Sequence, residues 1–293
     1  MRESYKGAKS HTSIPMDPDK KIALIAGASR GAGKGIALSL ASTFTDIILL
    51  GRSSRKDISP HPLGTIEDTE DEIKELGGNA ISVKCDCSDA NQVSEVLMKV
   101  REKFGKLDLL VNSAWGGNDM NPDFSTISET VEENWHYMFK KGVWNYLLLS
   151  AKAIPLLEKG HSPLIANVSF WDDDKYLGSF FYDLAKASMN RMALGLGHEL
   201  KEKGISVISL SPGYMKTEKV MAALEAQPEL AKKFGRPTES TRYIGEAVKA
   251  LFLDENKQSK SGKSLRVADL AKEYNFYDED GTQPGPFLMP ETF

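Results

Sequence analysis

The sequence predicts an α/β fold, a doubly wound parallel sheet in a single domain. Three observations lead there. Short, continuous runs rich in Ile, Val and Leu recur along the chain, as strands covered on both faces require. Each run is followed by a longer stretch with the apolar period of a helix. Strand, helix, strand, repeated, implies right-handed crossovers between parallel strands.

The elements follow in order. Residues 1–19 are polar, carry Pro15 and Pro18, and read as a flexible arm. Strands are expected at Ile22–Ala26, Ile47–Leu50, Ala80–Cys85, Leu107–Asn112, Leu164–Val168 and Ile205–Leu210. Helix-period segments lie between them at Gly35–Thr43, Thr65–Leu76, Asn91–Phe104, Val131–Glu158 and Tyr182–Lys201. Leu265–Ala268 offers one more strand. Beyond it the chain turns charged and aromatic, then Pro/Gly-rich, so 271–293 is expected as a tail and 20–270 as the domain. A segment at 214–239 carries Met215, Met221, Leu224 and Leu230 and is expected as a lid.

Bulk properties narrow the function. A chain of 293 residues can bury about three quarters of its unfolded surface, so stability requires neither disulfide nor metal. The net charge of -4 argues against nucleic acid, whose partners carry a strongly basic face. The chain has no apolar run of about 18 residues, so no membrane span is expected. The N-terminal stretch lacks the apolar core of a secretory signal. The expected location is cytoplasmic, with an organelle left open because the polar arm is compatible with an address. The two cysteines, Cys85 and Cys87, form a C-x-C pair with no second pair to complete a metal site, and no metal is expected.

The first strand runs straight into Gly27-Ala-Ser29-Arg30-Gly31-Ala-Gly33-Lys-Gly35, where a helix begins. Glycines let a backbone approach a pyrophosphate closely. The helix N-terminus adds unpaired N–H groups and the positive end of its dipole. A glycine cluster between the first strand and the first helix therefore points to a dinucleotide on a Rossmann-type sheet. The second strand ends Leu50-Gly51-Arg52-Ser53, without the acid that takes the ribose hydroxyl in NAD binders. Arg52 and Arg30 instead suit a 2′-phosphate, so NADP(H) is expected over NAD(H).

Tyr182 and Lys186 stand at i and i+4, neighbours on one helix face. An ammonium favours the phenolate, and such a tyrosine can trade a proton with a carbonyl or alcohol oxygen. Ser169 follows the strand Leu164–Val168, at the sheet edge where ligands sit, and its hydroxyl would orient that oxygen.

Taken together, Gly27-x-x-x-Gly31-x-Gly33, Asp86 after a strand, Asn112-Ser-Ala, Ser169, Tyr182-x-x-x-Lys186 and Pro212-Gly213-x-x-x-Thr217 resemble the short-chain dehydrogenases/reductases in order and spacing, over roughly 20–268. The stretches 60–66 and 261–281 are locally similar to particular members of that family. The resemblance implies an oxidoreductase moving a hydride between NADP(H) and a carbonyl or alcohol carbon of a small molecule. It implies Tyr182 as general acid/base, Lys186 as its partner and a ribose ligand, and Ser169 as holder of the substrate oxygen. Asp86 would contact adenine, Thr217 the nicotinamide carboxamide, and Asn112 would fix its loop against the cofactor. With Ser29, Arg30, Arg52, Pro212 and Gly213, these residues and the three loop glycines make the expected cofactor contacts. A homodimer or homotetramer is implied as well.

The departures are local. The family's Asn-Asn-Ala-Gly is here Asn112-Ser113-Ala114-Trp115, and Trp115 is expected with Tyr214 at the substrate pocket. The family's catalytic asparagine comes three residues before a helical glycine; counting back from Gly142 gives Phe139. Asn134 and Asn145 do not align with it. These departures keep open an alternative, an NADP-binding sensor or scaffold with vestigial catalysis.

Overall fold

A computed structural model describes residues 19–57, 63–119, 127–171, 173, 175–229, 231–232 and 235–289. The expected arm except its last residue, part of the 60–66 stretch and Leu230 lie outside the described residues.

Seven strands form one parallel sheet, as expected: β1 (Ile22–Ala26), β2 (Asp46–Gly51), β3 (Ala80–Lys84), β4 (Leu109–Asn112), β5 (Leu164–Val168), β6 (Ser206–Ser211) and β7 (Ser264–Arg266). Their order is β3-β2-β1-β4-β5-β6-β7. Alternation along β1 divides the core in two. Ala23 and Ile25 pack on the face covered by α1 (Gly31–Leu40), α2 (Ile66–Glu75) and the helices Thr241–Leu253 and Val267–Tyr274. Ile22, Leu24 and Ala26 pack on the other face, under α3 (Ala90–Phe104), α5 (Trp144–Leu157) and α6 (Phe180–Glu199).

Register brings the strand ends level. Ala26 lies opposite Asn112, Asn112 opposite Asn167, and Val168 opposite Leu210. The loops leaving these ends therefore meet at one edge, beside the reversal of strand order between β1 and β4, where such sheets bind ligands.

Four expectations need correction. First, α1 starts at Gly31 rather than Gly35, since Gly31 and Gly33 form its first turn. Second, the single helix expected over Val131–Glu158 is three pieces. α4 (Ile127–Asn134) leads into a π-helical segment, Trp135–Val143, and α5 follows. There the Trp144 N–H reaches the Phe139 carbonyl, five residues back, so the face presented to the sheet rotates. Third, the strand expected at Leu265–Ala268 ends at Arg266, and Val267 opens a helix.

Fourth, residues 271–289 are not a loose tail. Val267–Tyr274 is helical, and the chain beyond it straps back over the body. The buried Asp278 carboxylate accepts hydrogen bonds from the Ser240 N–H and hydroxyl. Gln283 donates to the carbonyls of Ala271 and Phe276. The strap carries the Phe287 ring to within 6.2 Å of Phe170 and 5.8 Å of Tyr214, centroid to centroid.

Candidate active site

The junction of β1 and α1 is built from close backbone contacts. Gly27 has φ +81, and a Cβ there would stand 2.7 Å from the Ala114 nitrogen. A Cβ on Gly33 would stand 2.1 Å from the Gly27 carbonyl oxygen, so only glycine lets α1 begin this close to the loop. The Gly27 and Ala28 N–H groups donate to the Leu50 carbonyl, tying the loop to β2. At the mouth of α1 the Gly31 N–H donates to the Glu218 carboxylate at 2.8 Å. That donor already meets an anion, as helix N-termini favour.

These elements enclose a cavity of about 280 Å³. Its lining includes Gly27, Ser29, Arg30, Gly31, Arg52, Trp115, Ser169, Tyr182, Lys186, Pro212, Gly213 and Thr217. Four expected residues lie outside the lining. Gly33 serves packing only. Asn112 is buried, and its amide donates to Ser150 Oγ and Asn167 Oδ1, locking β4 to β5 and α5. Asp86 accepts from the Ser88 N–H and hydroxyl, while its neighbours Cys85 and Cys87 face the cavity. Tyr214 stands against Phe287 and gives its carbonyl to the Thr238 and Glu239 N–H groups.

Sequence reasoning missed several lining residues. Glu218 follows Thr217 directly, one residue beyond the Pro212-Gly213-x-x-x-Thr217 motif. Tyr146 lies four residues after Gly142 on the helix, buried, with its hydroxyl donating to the Val168 carbonyl at 2.8 Å. Phe170 also lines the cavity, as does Met215, which the sequence places in the expected lid segment. Glu239 lies behind it, fully buried, accepting from the Gly213 N–H at 2.8 Å. Burial pushes the Glu239 carboxyl up to about 7. No local signal marks it, because its partner is 26 residues away.

The expected trio does converge. Ser169 directly follows β5 and is buried, its hydroxyl donating to the Lys186 carbonyl at 3.3 Å. Tyr182 and Lys186 face the cavity from the first two turns of α6. The Lys186 ammonium lies 5.4 Å from the Tyr182 ring centroid and 4.3 Å from that of Trp115. Trp115 meets Tyr182 edge-on at 6.2 Å. Tyr182 as a residue is half-buried, yet burial pushes its phenol up to about 12. Burial lowers Lys186 to about 8. The sequence argument expected the ammonium to pull the phenol down. In this site desolvation outweighs it, and Tyr182 stands protonated at neutral pH.

Phe139 does not line the cavity. It stacks on Trp135 at 4.6 Å and meets Phe181 at 6.5 Å. Asn134 and Asn145 are buried outside the lining, and the Asn145 amide donates to the Lys141 carbonyl. The helix before α5 thus gives the cavity no amide. Of the acids after Ser169, Asp173 pairs with Arg266 at 2.6 Å, and Asp172 and Asp174 lie outside the described residues.

This is a dinucleotide-type cleft with a Ser, Tyr and Lys set on a doubly wound sheet. The chain belongs to the short chain dehydrogenase family, whose model matches residues 21–228. It is 34% identical over 275 residues to dehydrogenase/reductase SDR family member 1 of Mus musculus, covering 89% of this chain and 84% of that one. It is 28% identical over 240 residues to 7alpha-hydroxysteroid dehydrogenase of Escherichia coli K12, covering 80% and 87%. A solved short chain dehydrogenase from Mycobacterium thermoresistibile superposes with a TM-score of 0.76 at 26% identity, over 93% of this chain and 98% of that one. The family consists of oxidoreductases that use a nicotinamide cofactor. The residues here fit such a group. Arg30 leaves a buried Nη1 without a hydrogen-bond partner, Gly27 and Gly33 leave no room for a Cβ, and the α1 N-terminus already holds an anion.

Keeping Lys186 in this site costs stability. Its folded pKa is near 8 against an ordinary 10.5. Below pH 8 both folded and unfolded chains are protonated, and the folded one bears the full desolvation penalty. Between about 8 and 10.5 the unfolded chain holds the extra proton, so stability rises with pH. Lys186→Met is therefore expected to be more stable than wild type at neutral pH, by on the order of 2–3 kcal/mol. That advantage should shrink as pH rises past 8, measured by urea unfolding at several pH values. A variant less stable than wild type at neutral pH would contradict this.

Proposed function

We propose that this protein is an NADPH-dependent carbonyl reductase acting on a small molecule with an apolar body. The observation that carries the reading is the convergence of Ser169, Tyr182 and Lys186 with the glycine cradle in one cavity. Bound there, the nicotinamide supplies or accepts a hydride at the substrate carbon. Gly27, Ser29 and the α1 N-terminus hold the pyrophosphate, which takes the Gly31 N–H in place of the Glu218 carboxylate. Arg30 and Arg52 take the 2′-phosphate, for which the absence of an acid at the end of β2 and the unpartnered Arg30 Nη1 argue. Pro212, Gly213 and Thr217 border the nicotinamide end, and Lys186 binds the ribose.

Ser169 orients the substrate oxygen by a hydrogen bond. Tyr182 donates its proton to that oxygen as the carbon accepts hydride, and takes the proton back in the reverse reaction. A phenol near 12 is protonated at neutral pH, the form that serves reduction. Phe170 and Met215 give the cavity apolar walls for the rest of the substrate. The protein works as a homo-oligomer, since α5 exposes Trp144 and Leu147 and α6 exposes Phe180 and Leu184, an apolar surface that a second copy would cover.

Two outcomes check this. In an assay of ketones and aldehydes with each nucleotide, wild type should oxidise NADPH faster than NADH. Tyr182→Phe should keep NADPH binding and lose turnover by about 100-fold or more. Tight nucleotide binding with no turnover on any carbonyl would instead favour the sensor reading. Light scattering of the purified protein should return a dimer or tetramer mass, and a monomer mass at micromolar concentration would refute self-association.

A further inference from the structure

Lys186 holds its charge where little supports it. It is buried, and burial alone accounts for the lowering of its pKa; no carboxylate contributes. The other titratable groups of the cavity are Tyr146 on α5, Cys85 and Cys87 after β3, Arg30, Arg52, and Glu218 and Lys219 on α7 (Glu218–Ala226). Tyr146 gives its hydroxyl to Val168, and Glu218 takes the Gly31 N–H. What faces the Lys186 ammonium is the Trp115 ring, at 4.3 Å, with the Tyr182 ring at 5.4 Å.

Two glycines make room for the Trp115 ring in that position. A Cβ on Gly142 would stand 2.6 Å from Trp115 Cζ3, and a Cβ on Gly117 2.6 Å from Trp115 Nε1. The two glycines leave a slot the width of an indole. One wall of the slot belongs to the π-helical segment that turns Phe139 away from the cavity. A ring face carries negative quadrupolar charge and attracts a cation most strongly where water is excluded.

We propose that Trp115 is a positioning residue for the hydride chemistry: its indole face holds the Lys186 ammonium beside Tyr182 and thereby sets the upper pH at which the pair works. The proposal rests on the reading of Tyr182 and Lys186 as the reactive pair. Without the indole face the ammonium keeps only the more distant Tyr182 ring, so Lys186 gives up its proton at lower pH. Reduction leaves a phenolate on Tyr182 that the charged ammonium stabilises, so activity in the reducing direction then falls at lower pH. Phenylalanine retains a ring face; leucine retains bulk alone.

Two measurements test it. The first uses the nucleotide-free protein. Tryptophan emission followed through pH 8 should show a step as Lys186 loses its charge, and Lys186→Met and Trp115→Phe should each abolish the step. A wild-type titration with no such step would overturn the proposal. The second compares profiles of kcat/KM against pH for carbonyl reduction. In Trp115→Leu the basic limb should move down by about one pH unit, while Trp115→Phe stays close to wild type. An unmoved or raised limb in Trp115→Leu, or the same limb in both variants, would also overturn it. Should none of the proteins turn over any carbonyl, the reading of Tyr182 fails, and the emission titration still decides whether Trp115 holds the lysine charge. Should Trp115→Leu not fold, the emission step and the Trp115→Phe limb carry the decision, a displaced limb in that variant counting against the proposal.

Discussion

The contact between Gly33 and the Gly27 carbonyl governs the geometry of the whole site. With no Cβ at Gly33, α1 begins directly at the end of β1, against the loop that carries Ser29 and Arg30. Its N-terminus then opens onto the sheet edge where β4, β5 and β6 also end. Any larger residue at position 33 would push the helix off the loop and close the space for a phosphate. The Asn112 bridge to Ser150 and Asn167 does related work deeper down, holding the sheet ends level so that Ser169 and Trp115 arrive at the same cavity. Asn112 thus supports the site without touching it.

The cavity spends stability to hold buried titratable groups. Lys186, Tyr182 and, behind the cavity, Glu239 all have pKa values moved by burial in the direction that disfavours their charged forms. Such groups persist in a fold because the surrounding packing is extensive enough to carry them. Here that packing comes from two apolar layers, one on each side of the sheet. The C-terminal strap adds to it from a distance: Asp278 pins the strap to Ser240, and Phe287 then backs Phe170 at the cavity wall.

Much of this was legible in the sequence. Continuous apolar runs marked the strands because parallel strands are buried on both faces, and all seven ended within two residues of expectation. Glycine spacing located the tight junction of β1 and α1 because Gly27 and Gly33 each answer a steric demand. The i, i+4 spacing found Tyr182 and Lys186. What stayed hidden depends on distant partners or on a change of helical period. The π-helical turn at Trp135–Val143 leaves no trace in a 3.6-residue pattern, so Phe139 could be placed on the helix but not aimed. Asp278 lies in a stretch that reads as solvated, and its partner Ser240 is 38 residues away. Trp115 was legible as a departure, while its position over Lys186 was not, since a glycine at 142 speaks only through its neighbour.

The most direct test is equilibrium titration of the purified protein with NADPH and with NADH, followed by quenching of tryptophan emission. The account predicts saturable binding of both, with NADPH bound at least about tenfold more tightly, a difference of about 1.4 kcal/mol. Failure of either nucleotide to bind would contradict the cleft as a dinucleotide site, and tighter binding of NADH would contradict the roles given to Arg30 and Arg52.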